Sequence, residues 1–219
     1  MGNAVLFSEM TPDKPWEDEF NSWYDTEHIP IRMKVPGFGG AQRYCRNERD
    51  YLAIYEMDSA AALQSDAYRE VKDNPSPVTA RMLRDVSNFT RYIGDQISLS
   101  VNESVAAQSY RNAPVLYPVF FNVPKERLQE FDAWYDEDHI PALMGCADWW
   151  AVRRFDLVDA HPKTFNRLAL HYLGNEEALS SKARDKARST EWRDRLACEP
   201  WFKGTYMIFR KHGERFTST

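Results

Sequence analysis

The chain has 219 residues, 43% hydrophobic and 14% aromatic, with a formal net charge of −5 whose signs are interspersed. That is enough apolar matter for a packed core and excludes a disordered chain; the lack of a basic stripe argues against nucleic acid as a partner. Cys45, Cys146 and Cys198 are odd in number and far apart, with no Cys-x-x-Cys pair, which argues against a disulfide framework and a structural zinc and favours a reducing, cytoplasmic setting. The N-terminus lacks a basic n-region and reaches Glu9 too soon for a signal peptide, and no apolar run approaches the ~20 residues of a membrane span, so no membrane partner is expected. Met1-Gly2 does not read as a myristoylation signal, because position 6 is Leu6.

A repeat organises the chain. A shift of 111 positions carries Glu19–Pro30 onto Glu130–Pro141 with eight of twelve residues identical, including Trp23/Trp134, Tyr24/Tyr135, Asp25/Asp136 and His28/His139. The same shift pairs Lys14 with Lys125, Met33 with Met144 and Arg43 with Arg154; the second copy then carries about five extra residues around Asp159–Lys163. The first repeat is placed at 2–104, a linker at 105–112 within the polar, Ala/Ser-rich stretch Ser100–Asn112, and the second repeat at 113–213.

In chain order, Ala4–Glu9 reads as a strand. A helix from about Trp16 places Phe20, Trp23, Tyr24 and His28 on one face, and Pro30 is expected to end it. Gly39–Arg46 and Tyr51–Met57 form a hairpin, Ala60–Lys72 a second helix followed by a helical turn at Met82-Leu83, and Phe89–Leu99 a last strand. The second copy repeats the order: strand Val115–Asn122, helix from Lys125 to Pro141, hairpin Trp150–Leu157 with Phe165–Leu173, helix Glu176–Arg188 with a turn at Trp192–Leu196, and strand Lys203–Arg210. This is the α+β order of the ferredoxin-like split βαβ unit. A four-stranded sheet with helices on one face must cover the other. The expected architecture is therefore two tandem ferredoxin-like repeats forming an intramolecular pseudo-two-fold dimeric α/β barrel.

The Tyr-x-x-x-His-x-Pro pattern, followed by Val35-Pro36-Gly37-Phe38 and Gln42-Arg43-Tyr44, resembles the EthD-like members of the dimeric α/β-barrel superfamily, as two units fused over essentially the whole chain. The second copy departs from the pattern, with Cys146-Ala147-Asp148-Trp149 where Pro-Gly would stand. Relatives by fold include cofactor-free monooxygenases, cyclases, isomerases, dehydratases, decarboxylases, haem enzymes and proteins of no known activity, so fold does not select the reaction.

His28 and His139 are the candidate acid/base groups, since a neutral imidazole accepts and returns a proton near pH 7. Tyr24 and Tyr135 would donate to an oxyanion, and Asp25 and Asp136 would fix the imidazole tautomer. Alternatively, the histidines merely cap the last turn of a helix. Arg43 and Arg154 are either inward donors for a substrate carboxylate or enolate or members of surface ion pairs. Trp23 and Trp134 are core or cavity lining. Tyr117 marks the first strand of the second copy, and His171, standing where copy one has Tyr55, is a pocket or a strand residue.

No metal motif and no glycine-rich nucleotide turn occurs, so no cofactor and no metal are expected; haem, through a histidine ligand, is the alternative by superfamily precedent. These residues suggest a cofactor-independent lyase, cyclase or isomerase acting on a small hydrophobic or aromatic carbonyl or phenolic substrate. Two alternatives are a cofactor-free monooxygenase of an aromatic substrate and a non-catalytic hydrophobic-ligand carrier or accessory protein. A homodimer of the fused pair is an allowed assembly, and the departures in copy two suggest that only one repeat carries an active site.

Overall fold

The computed structural model describes residues 3–106 and 109–218. Gly2, where the first repeat is expected to begin, and positions 107 and 108 of the expected linker lie outside the described residues. Two compact units are present: unit 1 holds the chain through Asp95 with Val158–Lys163 and the segment from Lys211, and unit 2 holds Gln96–Leu157 and Thr164–Arg210.

In unit 1, β1 (Ala4–Met10), β2 (Phe38–Arg46), β3 (Asp50–Met57) and β4 (Arg91–Val101) are ordered β4-β1-β3-β2, the split βαβ arrangement. β1 is antiparallel to both neighbours, with Leu6 opposite Tyr55 and Ile93, and all seven of its residues are buried, as a strand covered on both faces must be. On the helix-facing side, Leu6, Ala41 and Tyr55 pack against Phe20, Trp23 and Tyr24.

Unit 2 repeats the order with β5 (Val115–Phe121), β6 (Trp149–His161), β7 (Arg167–Leu173) and a last strand in two pieces, β8 (Thr205–Tyr206) and β9 (Phe209–Thr217). β7 lies between β5 and β6, with Tyr117 opposite His171, and β8 and the first residues of β9 pair with β5. Phe131 anchors the helix-facing core, its ring centroid 4.9 Å from that of Phe121, 5.6 Å from Trp134 and 5.5 Å from Tyr135. Its removal leaves a void that these rigid rings cannot fill. Phe131→Ala is expected to lower unfolding stability by about 3–5 kcal/mol, read from a urea midpoint.

The structure corrects the expectation that Pro30 and Pro141 end the first helices. α1 (Glu17–Trp23) passes through a π-helical turn, Tyr24–His28, and continues as α2 (Ile29–Met33). In unit 2, the π-helical turn Tyr135–His139 joins α5 (Leu128–Trp134) to α6 (Ile140–Leu143). The Ile29 N–H bonds the Tyr24 carbonyl and the Ile140 N–H that of Tyr135, each five residues back. A proline removes one helical donor and crowds the carbonyl four residues earlier; a wide turn immediately before it absorbs both defects. The histidines therefore lie inside a continuous helix and not at its carbonyl end, so neither caps its own helix.

The second helices are also broken where one run was expected, at Ala60–Lys72 and Glu176–Arg188. A 3-10 turn precedes α3 (Asp66–Asp73) and another precedes α7 (Lys182–Ala187). The Ser65 and Ser181 side chains accept from the backbone N–H groups of Tyr68 and Arg184 and so start new helices. α4 (Pro77–Asp85) and α8 (Glu191–Ala197) start in the same way, on Ser76 and Thr190, which bond the N–H groups of Thr79 and Arg193.

Candidate active site

The repeated motif is held by two acids with separate duties. Asp25 and Asp136 were expected to orient the histidines; instead Asp25 accepts from Arg43 at 2.8 Å, and Asp136 from Arg154 at 2.7 Å. Both arginines point inward, 1% and 2% exposed, and lie over Tyr24 and Tyr135 with ring distances of 4.6 and 4.7 Å. Asn21 and Asp132 take a second guanidinium nitrogen of each. The donor groups are thus tied to the helix, in neither the surface pairing nor the substrate-facing placement considered from sequence. Glu27 and Asp138 instead accept from Thr79 and Thr190 on the next helices.

In unit 1, the remaining motif residues are packed. His28 is 3% exposed, between the rings of Trp23 at 4.2 Å and Tyr24 at 4.7 Å, and its Nδ1 is buried without a hydrogen-bond partner. Burial, with Arg32 and Arg43 nearby, holds its pKa well below the ordinary imidazole value. Phe38 lies against Tyr55 and stacks on Tyr68 at 5.8 Å.

In unit 2, the same framework borders a half-open cavity of about 150 Å³. Of the residues singled out from sequence, Tyr117, Trp134, Tyr135, His139 and His171 line it together. Trp149 lines it too and escaped the sequence reading, because a bulge separates it from Ala151 in the pairing with β7. An inserted residue reverses strand parity, so Trp149 shares the core face with Val152. Arg184, Arg188 and Arg193 also line the cavity and were not foreseen. Aligning the copies on the residues that start their second helices exposes two of them: Arg184 stands where unit 1 has Tyr68, and Arg193 where it has Thr79.

The hydrogen bonds fix the tautomers. The Trp149 indole nitrogen can only donate, and it lies 3.0 Å from His171 Nδ1, so that atom is unprotonated and Nε2 carries the hydrogen. His171 Nε2 is 3.0 Å from the Tyr135 hydroxyl oxygen, which therefore accepts and keeps its own proton for donation elsewhere. His171 stays neutral because burial, followed by the charges of His139, Arg154 and Arg184, pushes its pKa well below the usual value. Burial likewise raises that of Tyr135, which remains a phenol.

His139 Nδ1 lies 3.1 Å from the Ala187 carbonyl oxygen. A carbonyl only accepts, so Nδ1 is protonated and Nε2 holds a lone pair. Burial lowers the His139 pKa to about 4, against the raising effects of the Ala187 carbonyl and Asp138. The imidazole is thus a neutral base at pH 7, its ring centroid 5.0 Å from that of the phenol donor Tyr135.

No family model matches the chain, and no curated protein does. Solved structures match over nearly its full length. An anthrone oxidase-like protein is 11% identical with a TM-score of 0.66, covering 100% of this chain and 94% of that one. A chlorite dismutase variant from Candidatus Nitrospira defluvii is 9% identical at TM-score 0.63, covering 97% and 92%. A monooxygenase-like protein from Listeria innocua is 6% identical at TM-score 0.51, covering 97% and 96%.

The expectation of a cofactor-free protein is corrected by these matches, since chlorite dismutases are haem-binding proteins of the same fold. The cavity itself does not fit that group: an apolar protein cavity of about 150 Å³ holds benzene, and a porphyrin is several times larger. Among the described residues, no helix is long and apolar enough to cross a membrane. At these identities the likeness shows the fold alone, and that fold is the α+β, dimeric α/β-barrel type.

Proposed function

We propose that the unit 2 cavity is the active site of an enzyme that removes a proton from a carbonyl or phenolic compound of about one ring. The supporting observation is the ordered pair of groups on the cavity wall: His139 with its Nε2 lone pair free, and Tyr135 with its hydroxyl proton released for donation by the Trp149–His171 chain. Nε2 takes a proton from carbon or oxygen, the electron pair moves onto the substrate oxygen, and the Tyr135 hydroxyl donates a hydrogen bond to that oxygen. Return of the proton to a different atom gives isomerisation; loss of a leaving group gives a lyase or cyclase outcome. Deuterium uptake from D2O into single-ring ketones, 1,3-dicarbonyls and phenols, followed by NMR, tests this reading. No uptake above the buffer rate across that panel would count against it.

A second reading keeps the same first step and draws support from the anthrone oxidase-like and monooxygenase-like proteins that share the fold. The carbanion then reacts with dioxygen, and a methylene and O2 become a carbonyl and one water. Oxygen consumption equal to product formed selects this outcome.

Trp149 acts here as a positioning residue. Trp149→Phe removes the indole donor to His171 Nδ1, and the His171 imidazole is then expected to populate both tautomers in 15N NMR. Turnover should fall about tenfold with KM little changed. A single, unchanged tautomer in the variant would contradict the assignment.

The repeated element order supports a tandem fusion of two EthD-like units that has kept one working site. The three free thiols support a cytoplasmic setting.

A further inference from the structure

Unit 2 departs from unit 1 in one consistent direction around the cavity. Tyr68, 7% exposed and stacked on Phe38, gives way to Arg184, and Thr79 gives way to Arg193. The second replacement has a consequence for a third residue. In unit 1, the Trp23 indole N–H donates to the Thr79 hydroxyl at 2.9 Å. Arginine has no acceptor to offer, and the corresponding Trp134 Nε1, on a residue 2% exposed, is buried with no partner. The cavity lining thus carries an indole donor without a partner and, where unit 1 has the accepting hydroxyl, a guanidinium.

The charge around the cavity is one-sided. Among the described residues, Arg184, Arg188 and Arg193 line it, and no carboxylate does. Arg184 spends one nitrogen on the Leu179 carbonyl at 2.7 Å, and Arg193 has only the exposed Asp194 at 3.8 Å. Among the described residues, none of these guanidinium groups is paired with a carboxylate as closely as Arg154 is with Asp136.

We infer that the ligand of this cavity is a single-ring aromatic carboxylate, its ring among Tyr117, Trp134 and Trp149 and its carboxylate on Arg184 and Arg193 with the Trp134 N–H as a further donor. Volume and charge point the same way: about 150 Å³ admits one ring, and a planar carboxylate matches the guanidinium fork. The inference rests on the proposed catalytic use of the cavity for its substrate class, but recognition and proton transfer use different residues. A bound carboxylate would also oppose the Arg193 and Arg184 charges, which add to burial in lowering the His139 pKa, making the base stronger when substrate is present.

The probes are benzoate and its uncharged counterpart benzamide, titrated calorimetrically into the full chain at low and high salt. Benzoate is expected to bind at least tenfold more tightly than benzamide and to weaken with salt. Arg193→Thr, which restores the unit 1 pairing for the indole, and Arg184→Gln are each expected to remove most of that preference while benzamide binding stays. His139→Gln should bind benzoate as well as the unaltered chain does. Equal binding of both probes, or a preference untouched in the Arg184→Gln, Arg193→Thr double variant, would overturn the inference. Benzoate selectivity without any deuterium uptake would instead refute the catalytic reading and leave the carboxylate site standing.

Discussion

Replacing His139 with Gln is expected to lower turnover by about 10²- to 10⁴-fold with little change in ligand binding, the range for loss of a positioned general base. The amide keeps the shape and can still donate toward the Ala187 carbonyl that holds Nδ1 at 3.1 Å, but it has no basic nitrogen. The same change at His28, whose ring is packed between Trp23 and Tyr24, should leave turnover of the folded protein within a few-fold. Comparable losses at both positions would show that the two units share the chemistry, and full activity in His139→Gln would end the proposed mechanism. Because the His139 pKa is about 4, kcat/KM in the unaltered enzyme should show no imidazole limb between pH 6 and 8. Its acid limb should fall nearer pH 4.

A large loss of stability is expected as the pH is lowered from 7 to 5. His28, His139 and His171 have folded pKa values below the ordinary value of 6.5, the first cause in each case being burial. Above about 6.5, both folded and unfolded chains hold these rings neutral, and their contribution is fully present. Below it, the unfolded chain takes up protons that the folded chain refuses, so stability falls with pH, for His139 until about 4. Each group contributes a slope of up to about 1.4 kcal/mol per pH unit, roughly 4 kcal/mol per unit for the three. Glu9 works in the opposite sense, its pKa raised by burial, and offsets part of the loss near pH 5. Urea unfolding at pH 7, 6 and 5 reads the slope directly, and His171→Gln should remove one histidine's share of it, the half-buried His212 being shifted in the same direction. A midpoint unchanged from pH 7 to 5 would mean that these rings are not held neutral in the folded protein.

The element order was legible because it depends on local patterns: period-two strands, an aromatic stripe at helical spacing, and turns marked by Asn, Asp, Pro and Gly. Where the reading failed, a nonlocal or cooperative feature intervened. Pro30 and Pro141 announce a break by every local rule, yet the π-helical turns before them carry the helix onward. The serines inside the second helices look neutral until their side chains are seen to start new ones. Trp149 lay one residue beyond the expected strand, and the bulge that turns it inward appears only in the pairing with β7. The orientation of Arg43 and Arg154 could not be settled from strand spacing, and Asp25 and Asp136 were given to the wrong partners.

The sequence by itself determined that the chain holds two like units and which dozen residues recur at their centre, because scarce Trp and His residues at a constant offset leave little room for chance. Only the tertiary structure decided that one centre is packed and the other hollow. That difference arises where Tyr68, Thr79 and Tyr55 of unit 1 are replaced by Arg184, Arg193 and His171 of unit 2, residues on separate helices and strands. Whether such side chains fill a core or line a cavity depends on which neighbours reach them, and the folded chain alone brings those neighbours together.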